Sequence, residues 1–86
     1  MNVVLKIKIL GAGCSRCDTL ERMTRKAVEE MQLEAMVEKV GDIEEILRYS
    51  VLRTPALVIN EKVIFSGVVP VMSELKSLLF NLAAKE

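Results

Sequence analysis

The chain has 86 residues, 51% of them apolar, which is enough for one core in one domain, spanning residues 1–86, without metal or several disulfides. Twelve basic and twelve acidic residues cancel, and the aromatics are Tyr49, Phe65 and Phe80 alone, so the sequence carries neither the charge of a nucleic-acid or anionic-membrane binder nor a base-stacking platform. No apolar run reaches transmembrane length, and Lys6 and Lys8 interrupt the first one before it could act as a signal sequence, so the expected compartment is the cytoplasm.

Residues 3–10 predict a strand, because Leu5, Ile7 and Ile9 alternate with Lys6 and Lys8 and give one apolar and one partly wet face. Gly11-Ala12-Gly13-Cys14-Ser15-Arg16-Cys17 follows, and holds both cysteines. Residues 18–31 then predict an amphipathic helix: Leu20, Met23, Ala27, Val28 and Met31 step by three and four, while Arg22, Arg25, Lys26, Glu29 and Glu30 fill the other side. A short strand is expected over 34–40. Asp42 predicts a helix cap, with Glu45 in a capping-box position and Ile43, Ile46 and Leu47 as the buried edge. That helix ends before Thr54-Pro55, since proline disfavours helix in the residue preceding it. Residues 56–59 and 63–65, joined by Asn60-Glu61-Lys62, predict a hairpin that Ser66-Gly67 terminates. Past Pro70, Leu75, Leu78, Leu79 and Leu82 give the stripe of a final helix. The order βαβαββα is that of an α/β fold, in which a right-handed crossover and an antiparallel hairpin build a four-stranded mixed sheet flanked by helices.

Two thiols three positions apart at a strand-to-helix junction suit disulfide exchange: one attacks a partner's disulfide and the other resolves the mixed disulfide. Cys14 at the helix N-terminus meets unpaired amides and the positive end of the macrodipole, and Arg16 adds a cation. Lowering a thiol pKa from about 8.5 to about 7 raises the thiolate fraction roughly fifteen-fold, yet falling nucleophilicity leaves a net gain of only about three-fold. The larger benefit is a better leaving group and a more oxidising disulfide. Asp18 and Glu21 oppose that shift. Competing readings are a structural disulfide, which would close too small a loop to stabilise much, and buried inert thiols. A metal or iron–sulfur site is another; with no histidine and no second cysteine pair it would need two chains. A domain whose cysteines are idle, serving only for docking, is the last. The Gly11-x-Gly13 pair is no dinucleotide fingerprint, as Arg16 stands where a third glycine belongs; it is expected to let the chain turn and leave Cys14 accessible.

Cys14-Ser15-Arg16-Cys17 at the first strand-to-helix turn, Thr54-Pro55 opening the third strand and Gly67 after the hairpin together resemble the thioredoxin fold, over nearly the whole chain. The Gly-x-Gly-Cys-x-x-Cys and Thr-Pro-Ala-Leu-Val-Ile-Asn segments look most like the small thioredoxin-like proteins called redox-active disulfide protein 2. The resemblance implies that Cys14 is the exposed nucleophile and Cys17 the buried resolving thiol. It further implies that Pro55 is cis beside them and that the Thr54 backbone pairs with an extended segment of the partner. Gly13 and Val69 would line the partner's site with Ala12 and Pro70, and Arg16 would modulate Cys14. The implied activity is that of a dithiol–disulfide oxidoreductase or electron carrier, monomeric, with no cofactor, exchanging electrons with a protein disulfide or dithiol and an upstream reductase.

Two departures from that family stand out. The familiar thioredoxin motif is Trp-Cys-Gly-Pro-Cys, and Lys8 occupies the position, six before Cys14, where the family keeps a buried acid for proton transfer. Glutaredoxins follow their hairpin with a double glycine and acidic residues that hold glutathione, whereas Ser66-Gly67-Val68-Val69 leaves that site mostly missing.

Overall fold

Alternation along Leu5–Leu10 makes the first strand, β1, with Leu5, Ile7 and Ile9 buried on one face and Lys6 and Lys8 on the other. The computed structural model describes residues 4–11 and 14–84. After β1 come α1 (Ser15–Glu30), β2 (Ala35–Val40), α2 (Ile43–Arg48), β3 (Ala56–Ile59), β4 (Lys62–Ser66) and α3 (Met72–Ala84). The sheet order is β2-β1-β3-β4, with β1 parallel to β2 and antiparallel to β3, and β3 antiparallel to β4. This is the expected four-stranded mixed sheet.

α1 covers one face of the sheet beside α3. Leu20 and Ala27 from α1 and Leu75 and Leu79 from α3 close over Leu5, Ile7, Ile9, Leu57 and Ile59. α1 starts three residues earlier than its apolar stripe predicts, at Ser15, because Cys14 caps it. It ends through left-handed Gln32 (φ 54°), whose amide donates to Glu29 while that of Leu33 donates to Val28, a Schellman closure made without glycine.

α2 lies against the other face, where Leu10, Val40, Val51, Ala56 and Val58 surround Ile46. Asp42 caps it by accepting the Glu44 amide at 3.0 Å. Its expected buried edge is corrected: Ile43 and Leu47 are 69% and 56% exposed, and Ile46 alone enters the core. A six-residue helix laid on one corner of a sheet has a single turn's worth of contact, and apolar periodicity does not report how wide that contact is.

The hairpin turns tightly through Asn60 (φ 51°) and Glu61 (φ 70°), both left-handed as a two-residue primed turn requires, so β4 starts at Lys62. Both cysteines and Thr54-Pro55 sit at the same end of the sheet, because Leu10 at the end of β1 pairs with Ala56 at the start of β3.

Candidate functional site

Between Leu10 and Ser15 the chain must leave the sheet and enter a helix. Gly11 permits the turn: its φ is +150°, a conformation that L side chains rarely adopt, while its amide still donates to the Val40 carbonyl at 2.9 Å. A Cβ there would lie 2.3 Å from Sγ of Cys17, so the missing side chain is the space that the thiol occupies.

Cys14 precedes α1 in extended conformation (φ −122°, ψ 130°) and serves as its N-cap. Its Sγ accepts the Cys17 amide at 3.3 Å, the place usually taken by a serine, threonine or aspartate oxygen. A charged sulfur is the better acceptor. Hydrogen bonds from the Cys17 side chain and then its backbone lower the Cys14 pKa, desolvation opposes, and the Arg16 amide and guanidinium add to the lowering.

Cys17, one turn on, faces the sheet and is fully buried. Burial first, then the hydrogen bond and charge of Cys14, push its pKa up to about 11, against a hydrogen bond with Thr54 and the field of Lys39. The two residues lie 3.1 Å apart and are free thiols. Environment has made them unequal: one half-buried with its pKa lowered, the other buried with its pKa raised.

The Thr54–Pro55 peptide bond is cis, as the resemblance implied. Pro55 is buried and Thr54 exposed. The Pro55 carbonyl accepts the Gly67 amide at 2.8 Å, and the Gly67 carbonyl accepts Arg16 Nη2 at 3.1 Å, so one glycine ties the entry to β3 to the cysteine turn. Gly67 has φ +77°. Val69 and Pro70 are half-buried in the connection from β4 to α3, whereas Ala12 and Gly13 lie outside the described residues.

Lys8 takes no part at this end. It donates to Tyr49 Oη at 2.9 Å, stands 3.4 Å from the Glu61 carboxylate and lies 5.5 Å from the Tyr49 ring centroid; Tyr49 Oη in turn donates to Glu61 at 2.9 Å. The Tyr49 hydrogen bond, ahead of Glu61, raises its pKa and keeps it charged. The cation that acts on Cys17 is Lys39, held by Asp18 of α1. Sequence reasoning missed Lys39, although a signal existed: it pairs with Ile9 and so interrupts the apolar face of β2. Among the described residues no group of three or more His, Cys, Asp or Glu side chains could hold a metal ion, and no helix is long and apolar enough to cross a membrane.

The thioredoxin domain family matches residues 5–80 of the chain. Over 79 residues the chain is 34% identical to a thioredoxin of Methanocaldococcus jannaschii, covering 92% of this chain and 91% of that one. It is 33% identical over 76 residues to a thioredoxin of Methanothermobacter thermautotrophicus, covering 88% and 99%. The solved structure of the germline-specific thioredoxin Deadhead of Drosophila melanogaster superposes with a TM-score of 0.67 at 21% identity, covering 91% of this chain and 80% of that one, a likeness of fold.

Proposed function

The chain belongs to the thioredoxin domain family, and from that premise we propose that it is a dithiol–disulfide oxidoreductase working through Cys14 and Cys17. The Cys14 thiolate attacks a partner disulfide, forming a mixed disulfide and expelling one partner thiolate. Cys17 gives up its proton and attacks Cys14 Sγ, closing the Cys14–Cys17 disulfide and releasing the second partner thiolate. Two electrons pass from the dithiol to the partner, and an upstream dithiol reductase returns them. The same steps reversed oxidise a dithiol.

The observation that carries this reading is the inequality of the pair: a capping thiol with lowered pKa beside a buried thiol at about 11. Such a pair sets the order of events, because Cys14 gives up its proton more easily than Cys17. The role of Thr54 in the proposal is to offer its backbone to an extended segment of the partner beside the cysteines. Arg16 contributes by favouring the Cys14 thiolate. In this proposal the domain acts as a monomer in a reducing compartment such as the cytoplasm, where a lone cysteine pair is kept available for exchange.

Replacing each cysteine by serine tests the assignment. Cys14→Ser abolishes exchange with a disulfide substrate, and Cys17→Ser accumulates a mixed disulfide that a mass measurement detects. Continued turnover by both variants would overturn it.

A further inference from the structure

We propose that the site selects disulfides whose reactive cysteine is flanked by carboxylates, and that Arg16 and Arg53 read those carboxylates from either side of Gly67. The inference rests on the oxidoreductase reading and adds a substrate class to it.

Both arginines converge on one glycine. Arg16 reaches from the first turn of α1 to donate through Nη2 to the Gly67 carbonyl at 3.1 Å. Arg53 arrives from the other side of the site, next to Thr54, and lays its stem over Gly67: a Cβ on that glycine would lie 3.1 Å from Cβ and 3.2 Å from Cδ of Arg53. Glycine at 67 therefore leaves room for the Arg53 stem, while its carbonyl receives Arg16. Its amide, bonded to Pro55, fixes that turn beside the cysteines.

These cations are left open. Among the described residues neither Arg16 nor Arg53 has a carboxylate partner, and both are exposed; Lys6, Arg22, Lys26, Arg48 and Lys62 are also unpaired, so what sets these two apart is their place at Gly67, beside the cysteine turn and Thr54. Arg16 spends one of its five N–H donors on Gly67, leaving the others for a ligand. The nearest acid along the motif, Asp18, is occupied by Lys39. α2 carries Glu44 and Glu45 in its first turn and Arg48 in its last, so the chain grows basic as it approaches Arg53. A guanidinium fork matches a carboxylate in shape as well as in sign. With a net charge of zero the molecule has no global field to attract an acidic partner, so the selection is local and short-ranged.

The test uses the reduced protein and two synthetic disulfide peptides that differ only in having glutamate or glutamine on each side of the reactive cysteine. Second-order exchange rates are measured for both, and their ratio is the readout. The ratio cancels any change in Cys14 reactivity, since the neutral peptide reports that reactivity in every variant. Exposed ion pairs alter a rate by about two- to five-fold each, so with two of them the wild type is expected to favour the acidic peptide by about four- to twenty-five-fold. The ratio falls part of the way to one in Arg53→Gln, reaches about one in the Arg16→Gln/Arg53→Gln double variant, and shrinks in 0.5 M salt. A wild-type ratio of one, or a ratio untouched by Arg53→Gln, overturns the inference while leaving the oxidoreductase reading in place. Absence of exchange with either peptide overturns both.

Discussion

Alanine at position 11 would strike the site and the fold through one methyl group. The backbone cost comes from φ +150°, and residues with a side chain held in such regions cost about 1–3 kcal/mol. The packing cost comes from a Cβ placed 2.3 Å from Cys17 Sγ and 3.3 Å from Thr54 Cβ, so the thiol must move by about an ångström in a filled interior; overpacking of this kind costs about 1–3 kcal/mol. Together these reach about 2–6 kcal/mol, against a total of about 4–13 kcal/mol for a chain of this length at about 0.05–0.15 kcal/mol per residue. Urea unfolding of the reduced protein measures the loss, and a Cys17→Ala background separates the two parts. Without Sγ the severest contact disappears, leaving about 1–3 kcal/mol from the backbone together with the milder contacts to Cys17 Cβ at 3.2 Å and Thr54 Cβ, and a coupling of about 1 kcal/mol between the positions. A loss below about 0.5 kcal/mol, or an equal loss in both backgrounds, would refute the claim that Gly11 is kept empty for the thiol.

The pH dependence of stability should carry the signature of Cys17. Its folded pKa of about 11 exceeds the ordinary value of 9.0, so its contribution is complete below about pH 9 and is lost as pH rises to about 11. Cys14 acts oppositely, adding stability as pH rises through its lowered value. Unfolding of reduced Cys14→Ser against the Cys14→Ser/Cys17→Ala double variant between pH 8 and 11 follows the decline without the opposite contribution of Cys14, and Lys39→Met should move its end to higher pH; parallel curves for the two would contradict it. On α2, Ile46→Ala should cost about 2–3 kcal/mol, whereas Leu47→Ala should cost under about 0.5 kcal/mol, measured by urea midpoint. Equal costs would mean that α2 packs through a broader face than Ile46.

What the sequence disclosed was whatever local chemistry dictates. Alternation at Leu5, Ile7 and Ile9 placed β1, the step of Leu20 and Ala27 placed α1, and Asn60 marked a turn that needs positive φ. The cysteine spacing at a strand-to-helix junction located the cap position of Cys14. Other features depend on neighbours far along the chain. That Gly11 makes room for Cys17 is visible only when α1 is folded back on the strand end. The exposure of Ile43 and Leu47 follows from how little of the sheet α2 covers, and the convergence of Arg16 and Arg53 on Gly67 joins three separate segments. Lys39 escaped notice because β2 alternates weakly, so one charge on its inner face did not read as an exception.

The position of β1 in the middle of the sheet also bears on how the protein comes into being. The strand is synthesised before the other elements of this fold, yet its second neighbour, β3, begins at Ala56 and follows two helices and another strand in the chain. An N-terminal fragment ending before that point has one bare hydrogen-bonding edge on β1 and lacks Leu57, Ile59, Leu75 and Leu79 from its interior, so folding is cooperative across the two halves rather than sequential. The pairing of Leu10 with Ala56 that completes the sheet is also the event that carries Thr54-Pro55 to the cysteines. A nascent chain therefore holds its two thiols without the surroundings that make them unequal, and acquires selective reactivity only when it acquires its fold.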